Sequence, residues 1–376
     1  MKLIHLSDLH LGKRLNDYSL IEDQEYALGQ IIRIIDEEAP DGVLIAGDVY
    51  DKSVPSAEAI RLFDDFLIEL SNRKIPVFVI SGNHDSAERM SFGARLMDAS
   101  GVHIAGAYDG ETIPYTLSDG NGDVRIYMLP FFKPQVARRF HGDGAVSYTD
   151  AMRLSIETMN IDPAVRNILI AHQFVVGSSR SDSEEISVGG TDEVDVAVFD
   201  NFDYVALGHL HRPQNCTEIR VRYSGSPLKY SFSEAKDTKS VTVVELYEKG
   251  NLNVRTVPIP YLHDMVELRG KYLDLMEKSF YENTSYRDDY VRITLTDEDD
   301  IPDAIGRLRI VYRNLMRLDY DNSRTRASGV VEIPVEKRSP LELFSDFYTA
   351  QNDKPMSEEQ IALVKGMIES IWEGEV

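Results

Sequence analysis

The sequence predicts an α/β fold, a layered core in which strands alternate with helices. Several apolar runs of strand length each end in polar residues, and helical patterns separate the first three runs. The apolar residues do not alternate with polar ones, which is typical of strands buried on both faces. Alternation of strands and helices along the chain indicates layers of the two. The runs are 2–10, 42–48, 77–85, 167–173 and 204–211.

The other elements follow from the same patterns. Helices are predicted near 21–38, 56–72 and 87–99, and further strands over 124–130, 220–226 and 240–247. Residues 258–270 resemble a connector. A second, smaller unit follows, with a strand over 290–296, a helix over 301–314 and a strand over 315–320.

Two helices are predicted in the tail, because each begins with a capping box. Ser339 precedes Pro340 and Glu342 in the first, and Ser357 precedes Gln360 in the second. Each helix has one apolar face, which either packs on its own domain or docks a partner coiled coil. The two faces comprise Leu341, Phe344, Phe347 and Tyr348, and Ile361, Val364, Ile368 and Trp372.

Composition argues against several classes of protein. The formal net charge is −23 without a basic tail, which argues against non-specific binding to a polyanion. No apolar run is long enough to span a membrane, and we expect no signal peptide because the first residues read as a buried strand. The single cysteine, Cys216, excludes an intramolecular disulfide framework and fits a reducing cytoplasm.

Side chains that bind metals cluster at the polar ends of the predicted strands. Ligands of open α/β sheets bind beyond the carboxyl ends of the strands, so we expect these side chains to converge. Carboxylates, imidazoles and an amide oxygen, without a thiolate, suit a hard or borderline divalent metal. The residues are Asp8, His10, Asp48, Asn83, His84, His172, His209 and His211.

This set is larger than one ion needs, which favours two ions bridged by a carboxylate. Asp48 follows Gly47 on a predicted sharp turn and is the natural bridge. Residues two apart in an extended chain lie on the same face. We therefore expect Asp8 to present its side chain together with His10, and likewise the His209 and His211 pair.

Five motifs in order resemble the calcineurin-like metallophosphoesterase superfamily. They are Asp8-Leu9-His10, Gly47-Asp48, Gly82-Asn83-His84-Asp85, His172 and Gly208-His209-Leu210-His211. The resemblance implies a β-sandwich flanked by helices. It implies one ion held by Asp8, His10, Asp48 and His211, and a second held by Asp48, Asn83, His172 and His209. It places the catalytic His84 against the scissile phosphate, where Asp85 would orient His84 or a ligand histidine from behind.

Longer stretches, such as LSDLHLGKRL and GDVYDKSVPS, are similar to the SbcD family of bacterial nuclease subunits, which process DNA double-strand breaks. The likeness implies a nuclease domain over 1–262, a small α+β DNA-capping domain over 263–330 and C-terminal partner-binding helices over 331–376. It also implies an SMC-like ABC ATPase partner of the SbcC type and a homodimer. Asp51 departs from archaeal and eukaryotic relatives, which have a histidine there, so a phosphate contact is not carried over to it.

The implied activity is manganese-dependent hydrolysis of DNA, single-stranded when the subunit acts alone and double-stranded with the ATPase. Two divalent ions outweigh the charge of Asp8 and Asp48, so a phosphodiester can bind locally despite the acidic whole. One alternative is a phosphatase or small-molecule phosphodiesterase, against which the extra domain and tail helices argue. The other is a non-catalytic scaffold, against which the full ligand set argues.

Several further residues have ordinary structural interpretations beside functional ones. His5, His103, His141 and His263 are predicted to be core or surface histidines. Part of the helical set Phe63, Phe66, Met90, Phe92, Leu96 and Met97 is expected to be exposed for pairing about a two-fold axis. Candidate phosphate contacts are Lys13, Arg14, Arg89, Arg138, Arg139, Arg180 and Arg212.

Overall fold

The computed structural model describes residues 1–184, 193–299, 301–323, 340–352 and 354–373. The expected domain boundary after residue 330 and the expected helix cap at Ser339 lie outside these residues. The side chain of Trp372 is also outside the described part of the structure.

The strands alternate with helices through the first half of the chain, as predicted. They are β1 (Lys2–Leu6), β2 (Arg14–Leu15), β3 (Tyr18–Ser19), β4 (Gly42–Ala46), β5 (Val77–Ile80), β6 (Val102–Ala105), β7 (Tyr115–Asp119), β8 (Gly122–Leu129), β9 (Arg166–His172), β10 (Phe174–Val175), β11 (Glu193–Val194), β12 (Tyr204–Gly208), β13 (Gln214–Cys216), β14 (Glu218–Tyr223), β15 (Ser240–Leu246), β16 (Leu252–Pro258), β17 (Met265–Gly270), β18 (Tyr290–Leu295) and β19 (Asn314–Tyr320).

The α-helices vary from single turns to five turns. They are α1 (Ile21–Glu38), α2 (Ala57–Asn72), α3 (Ala87–Met90), α4 (Ala94–Met97), α5 (Pro134–His141), α6 (Tyr148–Glu157), α7 (Tyr272–Met276), α8 (Lys278–Tyr281), α9 (Ala304–Leu308), α10 (Pro340–Asn352) and α11 (Glu358–Glu373). None of the helices in the described residues combines the length and apolar character that crossing a membrane requires.

Two large sheets form the core of the protein. The first has the order β16-β15-β1-β4-β5-β6 and the second the order β13-β14-β12-β9-β8-β7. They pack face to face over a shared apolar core. The outer face of the first sheet is covered by α1 and α2, and that of the second by α5 and α6. This β-sandwich flanked by helices confirms the predicted fold class.

Strand β4 shows why the predicted strands lack alternation. All five of its residues are buried. Leu44 and Ala46 face the second sheet, whereas Val43 and Ile45 face the helices. A strand covered on both sides has no face that needs polar residues.

Three of the predicted secondary-structure elements differ from the structure. The helix predicted over 87–99 is broken into α3 and α4, because Gly93 between them adopts the left-handed conformation (φ 74°). The predicted connector 258–270 contains strand β17, which pairs with β18 in a parallel three-stranded sheet with β19. The helix predicted over 301–314 is confined to α9.

The three-stranded sheet has a small core of its own and contacts the large domain through α1. Tyr290 at the start of β18 donates a hydrogen bond to Asp23 of α1 (2.6 Å). Farther along the chain, α10 and α11 contact one another through Tyr348 and Gln360 (3.1 Å). The predicted capping box at Ser357 is present, since its hydroxyl accepts from the Gln360 N–H and the Gln360 side chain accepts in return.

Candidate metal centre

The ends of five core strands meet at one edge of the sandwich. Strands β1, β4 and β5 of the first sheet lead into Asp8, Asp48 and Asn83, and strands β9 and β12 of the second lead into His172 and His209. Hydrogen bonds join adjacent ends, as when the Asp8 N–H donates to Gly47 (3.0 Å). The predicted convergence of these side chains is therefore present, and it involves both sheets.

The backbone at the site is held in an uncommon conformation. Asp8 (φ 53°), His10 (φ 42°), Asp48 (φ 49°) and His209 (φ 106°) all have positive φ. Such angles are uncommon for residues other than glycine and are concentrated at functional sites. They also correct one sequence argument: Asp8 and His10 do not share a face of an extended strand, because β1 ends at Leu6. The turn after the strand brings the two together instead.

The first group of candidate ligands consists of Asp8, His10 and His211, all buried, with ligand atoms within 4.8 Å of one another. The His10 and His211 Nε2 atoms are 3.0 Å apart, and His10 Nε2 is 3.6 Å from Asp48 Oδ2. Neighbouring ligands of an octahedral ion bound at about 2.1 Å lie about 3 Å apart. The spacing of these atoms therefore fits a shared ion.

The second group is centred on His172 and Asn83. His172 Nε2 is 2.9 Å from Asn83 Oδ1 and 3.3 Å from Asp48 Oδ2, and His209 Nδ1 is 3.0 Å from Asn83 Oδ1. His172 Nδ1 donates to the Ala46 carbonyl (2.8 Å). In its neutral form, His172 therefore points an Nε2 lone pair at two oxygen acceptors, an arrangement that a cation between them stabilises.

The charges of the site are strongly perturbed. Burial lowers the pKa values of His10 and His209 well below their usual range, and burial raises the pKa of Asp8 to about 6. Burial also acts on Asp48 and His172, but their mutual attraction outweighs it. The pKa of Asp48 is held well below its usual range and that of His172 is raised to about 9. The neutral imidazoles of His10 and His209 and the ionised carboxylate of Asp48 are in the forms that bind a metal, whereas His172 would bind one only on losing its proton.

Close packing of the backbone keeps the candidate ligands together. A Cβ on Gly82 would lie 2.1 Å from Asp48 Oδ1, and a Cβ on Gly208 would lie 1.8 Å from the Ala46 carbonyl oxygen. Only glycine fits at either position, so the loops after β5 and β12 can approach the loop after β4.

His84 lies at the edge of the site and is less buried than the other histidines. Its Nδ1 donates to the Asp51 carbonyl (3.1 Å), and its Nε2 is 4.0 Å from Asp48 Oδ2. Its side chain is 17% exposed, whereas that of His172 is fully buried. By distance alone His84 could also be a ligand, because it forms a third group with His10 and Asp48.

Asp85 joins two loops of the site through backbone contacts. Its expected orientation of His84 or a ligand histidine stays a prediction, and its carboxylate accepts hydrogen bonds from three backbone N–H groups. These belong to Val49 (3.0 Å), Tyr50 (2.9 Å) and Gly82 (2.9 Å). Asp85 therefore ties the loop that carries Asn83 to the loop that carries Asp48.

The Asp51 carboxylate forms an ion pair within the protein. Its carboxylate lies 2.7 Å from Lys13 Nζ and 3.8 Å from His10 Nδ1, while its carbonyl holds His84. The Asp51 carboxylate therefore pairs with Lys13, and Asp51 contacts His84 through its backbone carbonyl.

Sequence reasoning missed the residues behind His211. The Ser183 hydroxyl lies 2.6 Å from His211 Nδ1 and donates to Glu234 (2.5 Å). Glu234 in turn pairs with Lys239 (2.5 Å), and both side chains are fully buried. The spacing of Ser183, Glu234 and Lys239 along the chain follows no helical or strand period. The sequence signal for this group would have been an acid and a lysine within a buried segment.

The remaining candidates occupy other places. His5 is a core histidine as predicted, bonded to Tyr204 (2.8 Å) and the Leu207 carbonyl. His103, His141 and His263 pair with Asp98, Tyr108 and Asp23. Among the basic candidates, Arg89 donates to the Ser53 carbonyl and Arg138 to the Ala145 carbonyl. Arg212 donates to the Asp237 carboxylate, and Arg14 donates to the Asp17 carbonyl. Arg180 lies over the Phe174 ring. Arg139 is exposed on α5.

The helical set is divided by exposure, as predicted. Phe63, Phe66 and Met90 are buried, whereas Phe92 is 85% and Leu96 82% exposed. Met97 is partly buried against the core.

Comparison with known proteins gives matches along the whole chain. Residues 1–213 match the family described as calcineurin-like phosphoesterase, and residues 261–352 match the type 5 capsule protein repressor C-terminal domain. A Staphylococcus epidermidis protein, named as the D subunit of the nuclease SbcCD, is 33% identical over 383 residues, with 100% of both chains covered.

Solved structures match more distantly. The protein TT1561 of Thermus thermophilus is 12% identical over 69% of this chain and 99% of its own, with a TM-score of 0.40. A dimetal phosphatase from Danio rerio is 13% identical over 69% of this chain and 99% of its own, with a TM-score of 0.38.

Proposed function

Since the chain belongs to the calcineurin-like phosphoesterase family, we propose that it is a two-metal, manganese-dependent DNA nuclease. The observation that carries the proposal is the convergence of carboxylate, imidazole and amide ligand atoms from both sheets into two adjoining groups. Full-length similarity to a protein named as part of a nuclease supports DNA as the substrate. Repair and recombination of DNA are the processes in which we expect it to act.

The proposed ligand sets follow the two groups. One ion is held by Asp8, His10, Asp48 and His211, and the other by Asp48, Asn83, His172 and His209. The position of Asp48 between His10 (3.6 Å) and His172 (3.3 Å) supports its role as the bridge. Oxygen and imidazole ligands without a thiolate suit manganese.

The ions, when bound, would lower the pKa of a water and offset charge on the phosphoryl oxygens. The protein supplies position and a proton. With Nδ1–H donated to the Asp51 carbonyl, the His84 ring is fixed and its Nε2 faces the site. As the water oxygen bonds to phosphorus, the bond from phosphorus to the leaving oxygen breaks, and His84 in its imidazolium form donates the Nε2 proton to that oxygen. Asn83, a neutral ligand, leaves the site more positive than a third carboxylate would.

We assign three parts to the chain: a nuclease domain over 1–262, a DNA-capping domain over 263–330 and partner-binding helices over 331–376. The second family match, which begins at residue 261, supports a boundary near 262. The separate core of the three-stranded sheet supports an independent capping unit. A lone buried cysteine, Cys216, supports a cytoplasmic location.

Two protein partners are proposed. The apolar residues Leu343, Phe344, Phe347 and Leu363 of α10 and α11 are exposed, which supports docking of an SMC-like ABC ATPase of the SbcC type. The name of the Staphylococcus relative, the D subunit of SbcCD, supports the same partner. The exposed Phe92 and Leu96 support a homodimer, because large apolar residues with such exposure mark interaction surfaces.

The test is cleavage of single-stranded DNA with manganese by wild type, His84→Gln and His172→Gln. We expect His84→Gln to lower turnover by about 10²–10⁴-fold while manganese binding in calorimetry is retained. His172→Gln, the matched control at a proposed ligand, should lose both. Loss of manganese binding in His84→Gln would make His84 a ligand and contradict its catalytic role. Cleavage of a small phosphodiester but not of DNA would favour the small-molecule phosphodiesterase.

A further inference from the structure

A buried hydrogen-bond network lies directly behind His211. Its members are Ser183, Glu234 and Lys239, here called the His211 support network. Ser183 Oγ lies 2.6 Å from His211 Nδ1 and 2.5 Å from Glu234 Oε1. Lys239 Nζ donates to Glu234 Oε2 (2.5 Å) and to the His211 carbonyl (2.7 Å). The network therefore contacts both the imidazole ring and the backbone of His211.

The Glu234–Lys239 ion pair is not explained by stability alone. Both side chains are fully buried, and removing two charges from water offsets most or all of what their attraction contributes. Well-packed apolar residues would serve a core equally well. The contacts of the pair point instead to His211, since Glu234 reaches it through one hydroxyl and Lys239 reaches its carbonyl directly.

The donors and acceptors of the network fix the tautomer of His211. Glu234 Oε2 forms an ion pair with Lys239 Nζ (2.5 Å), and its other oxygen, Oε1, lies 2.5 Å from Ser183 Oγ. A carboxylate paired in this way only accepts hydrogen bonds, so the Ser183 hydroxyl donates to it. Ser183 can then only accept from His211, which places the proton on Nδ1 and leaves the Nε2 lone pair facing His10 and Asp8.

His211 differs in this respect from the histidine of the other group. His172 Nδ1 donates to a backbone carbonyl, that of Ala46, which is a partner that no side-chain substitution changes. The His211 ring is held instead by side chains, namely the Ser183 hydroxyl and, through it, the Glu234 carboxylate. The affinity of one of the two proposed ion sites could therefore be changed by a substitution outside its ligand set.

We propose that Ser183 and Glu234, with Lys239 as counter-charge, are positioning residues that set the orientation and tautomer of His211 as a metal ligand. This inference rests on the proposed metal centre. Partners of ligating histidines alter metal affinity by about 10–100-fold when they are removed. The effect should fall on one of two manganese ions, since the ligands Asn83, His172 and His209 lie on the other side of Asp48.

The test compares Ser183→Ala with Ser183→Thr, which keeps the hydroxyl, and with Ser233→Ala. Ser233 is the matched control, because its hydroxyl accepts from the Asp182 N–H in the same loop but belongs to no contact with His211. In manganese titration calorimetry we expect Ser183→Ala to weaken one binding step by about 10–100-fold. Ser183→Thr should restore it, and Ser233→Ala should match wild type.

A second readout uses metal-free protein and is independent of activity. Long-range proton–nitrogen NMR correlations of labelled histidines should show His211 as the Nδ1–H tautomer in wild type and a mixture in Ser183→Ala. The double variant Glu234→Gln with Lys239→Met, which leaves no lone buried charge, should give the same two changes if Ser183→Ala is poorly folded.

Unchanged manganese affinity and unchanged tautomer in both variants would overturn the inference. A wild-type protein that binds no manganese would instead defeat the proposed metal centre, and the NMR comparison would still decide whether the network sets the tautomer. Equal weakening by Ser233→Ala would overturn the inference too, because it would show that loop order alone matters.

Discussion

The packing at Gly82 leads to a sharp prediction about the candidate metal centre. In Gly82→Ala the new Cβ would lie 2.1 Å from Asp48 Oδ1 and 2.4 Å from Asp48 N, although real Cβ contacts essentially never fall below 3.0 Å. Either the loop after β5 or Asp48 itself must therefore move by about 1 Å, a displacement that costs about 10²-fold in rate when it affects a reacting group. Because Asp48 is the proposed bridge, we expect both manganese binding steps to weaken, each by about tenfold or more.

The assay is manganese titration calorimetry with thermal unfolding of the same samples. Gly29→Ala is the matched control, since a Cβ there meets nothing within 4 Å and lies on an exposed position of α1. That control should bind manganese like wild type and be about 1 kcal/mol more stable, because alanine is the better helix former. If Gly82→Ala binds both ions with wild-type affinity, the claim that glycine is needed for the approach of the two loops is refuted.

Two further predictions concern pH and assembly. Burial lowers the pKa of His5 to about 3. Between about pH 6.5 and pH 3 the unfolded chain therefore binds a proton at His5 that the native chain does not. As the pH decreases through this range, the free energy of unfolding decreases by about 1.4 kcal/mol per pH unit. His5→Gln should remove that part of the slope in urea unfolding at pH 7, 6 and 5, whereas an equal slope would contradict it. Replacing Phe92 and Leu96, which are 85% and 82% exposed, by Glu should convert the proposed dimer to a monomer in light scattering. A monomeric wild type at micromolar concentration would count against the dimer.

The position of the site could be predicted from sequence because its residues directly follow strands. Burial on both faces makes β4, β5 and β12 apolar, and it makes the middle of β9 apolar (Ile168 to Ala171), so the polar residue that ends each run is visible without a structure. The α1 bounds Ile21–Glu38 were predicted for a similar reason, since its apolar residues recur with helical spacing.

The local conformations could not be predicted in the same way. Gly93 gave no sign that it would divide the helix predicted over 87–99, because a glycine inside a helical pattern is often tolerated. The left-handed angles of Asp8 and His10 are imposed by hydrogen bonds to the β4 loop, such as that from His10 N–H to the Asp48 carbonyl (3.0 Å). Such tertiary contacts leave no periodic pattern in the chain.

The contacts behind the site were missed for a related reason. The carboxylate oxygens of Asp85 can accept a hydrogen bond from a histidine ring or from a backbone N–H, and the sequence does not distinguish these two donors. The Ser183 and Glu234 contacts join residues 51 positions apart, so nothing local marks them as a pair.

The pairing of β1 has a consequence for the order in which the protein can be made. The first strand synthesised lies between β4 and β15 in the sheet, and His10 faces His211 across 201 residues of chain. A nascent chain on the ribosome that ends before His209 has the proposed ligands of the first sheet and His172 but cannot complete either proposed ion site. The Lys239 side chain and β15 follow later still. The proposed site is therefore complete only when translation of the large domain is nearly finished, so incomplete chains should carry no nuclease activity.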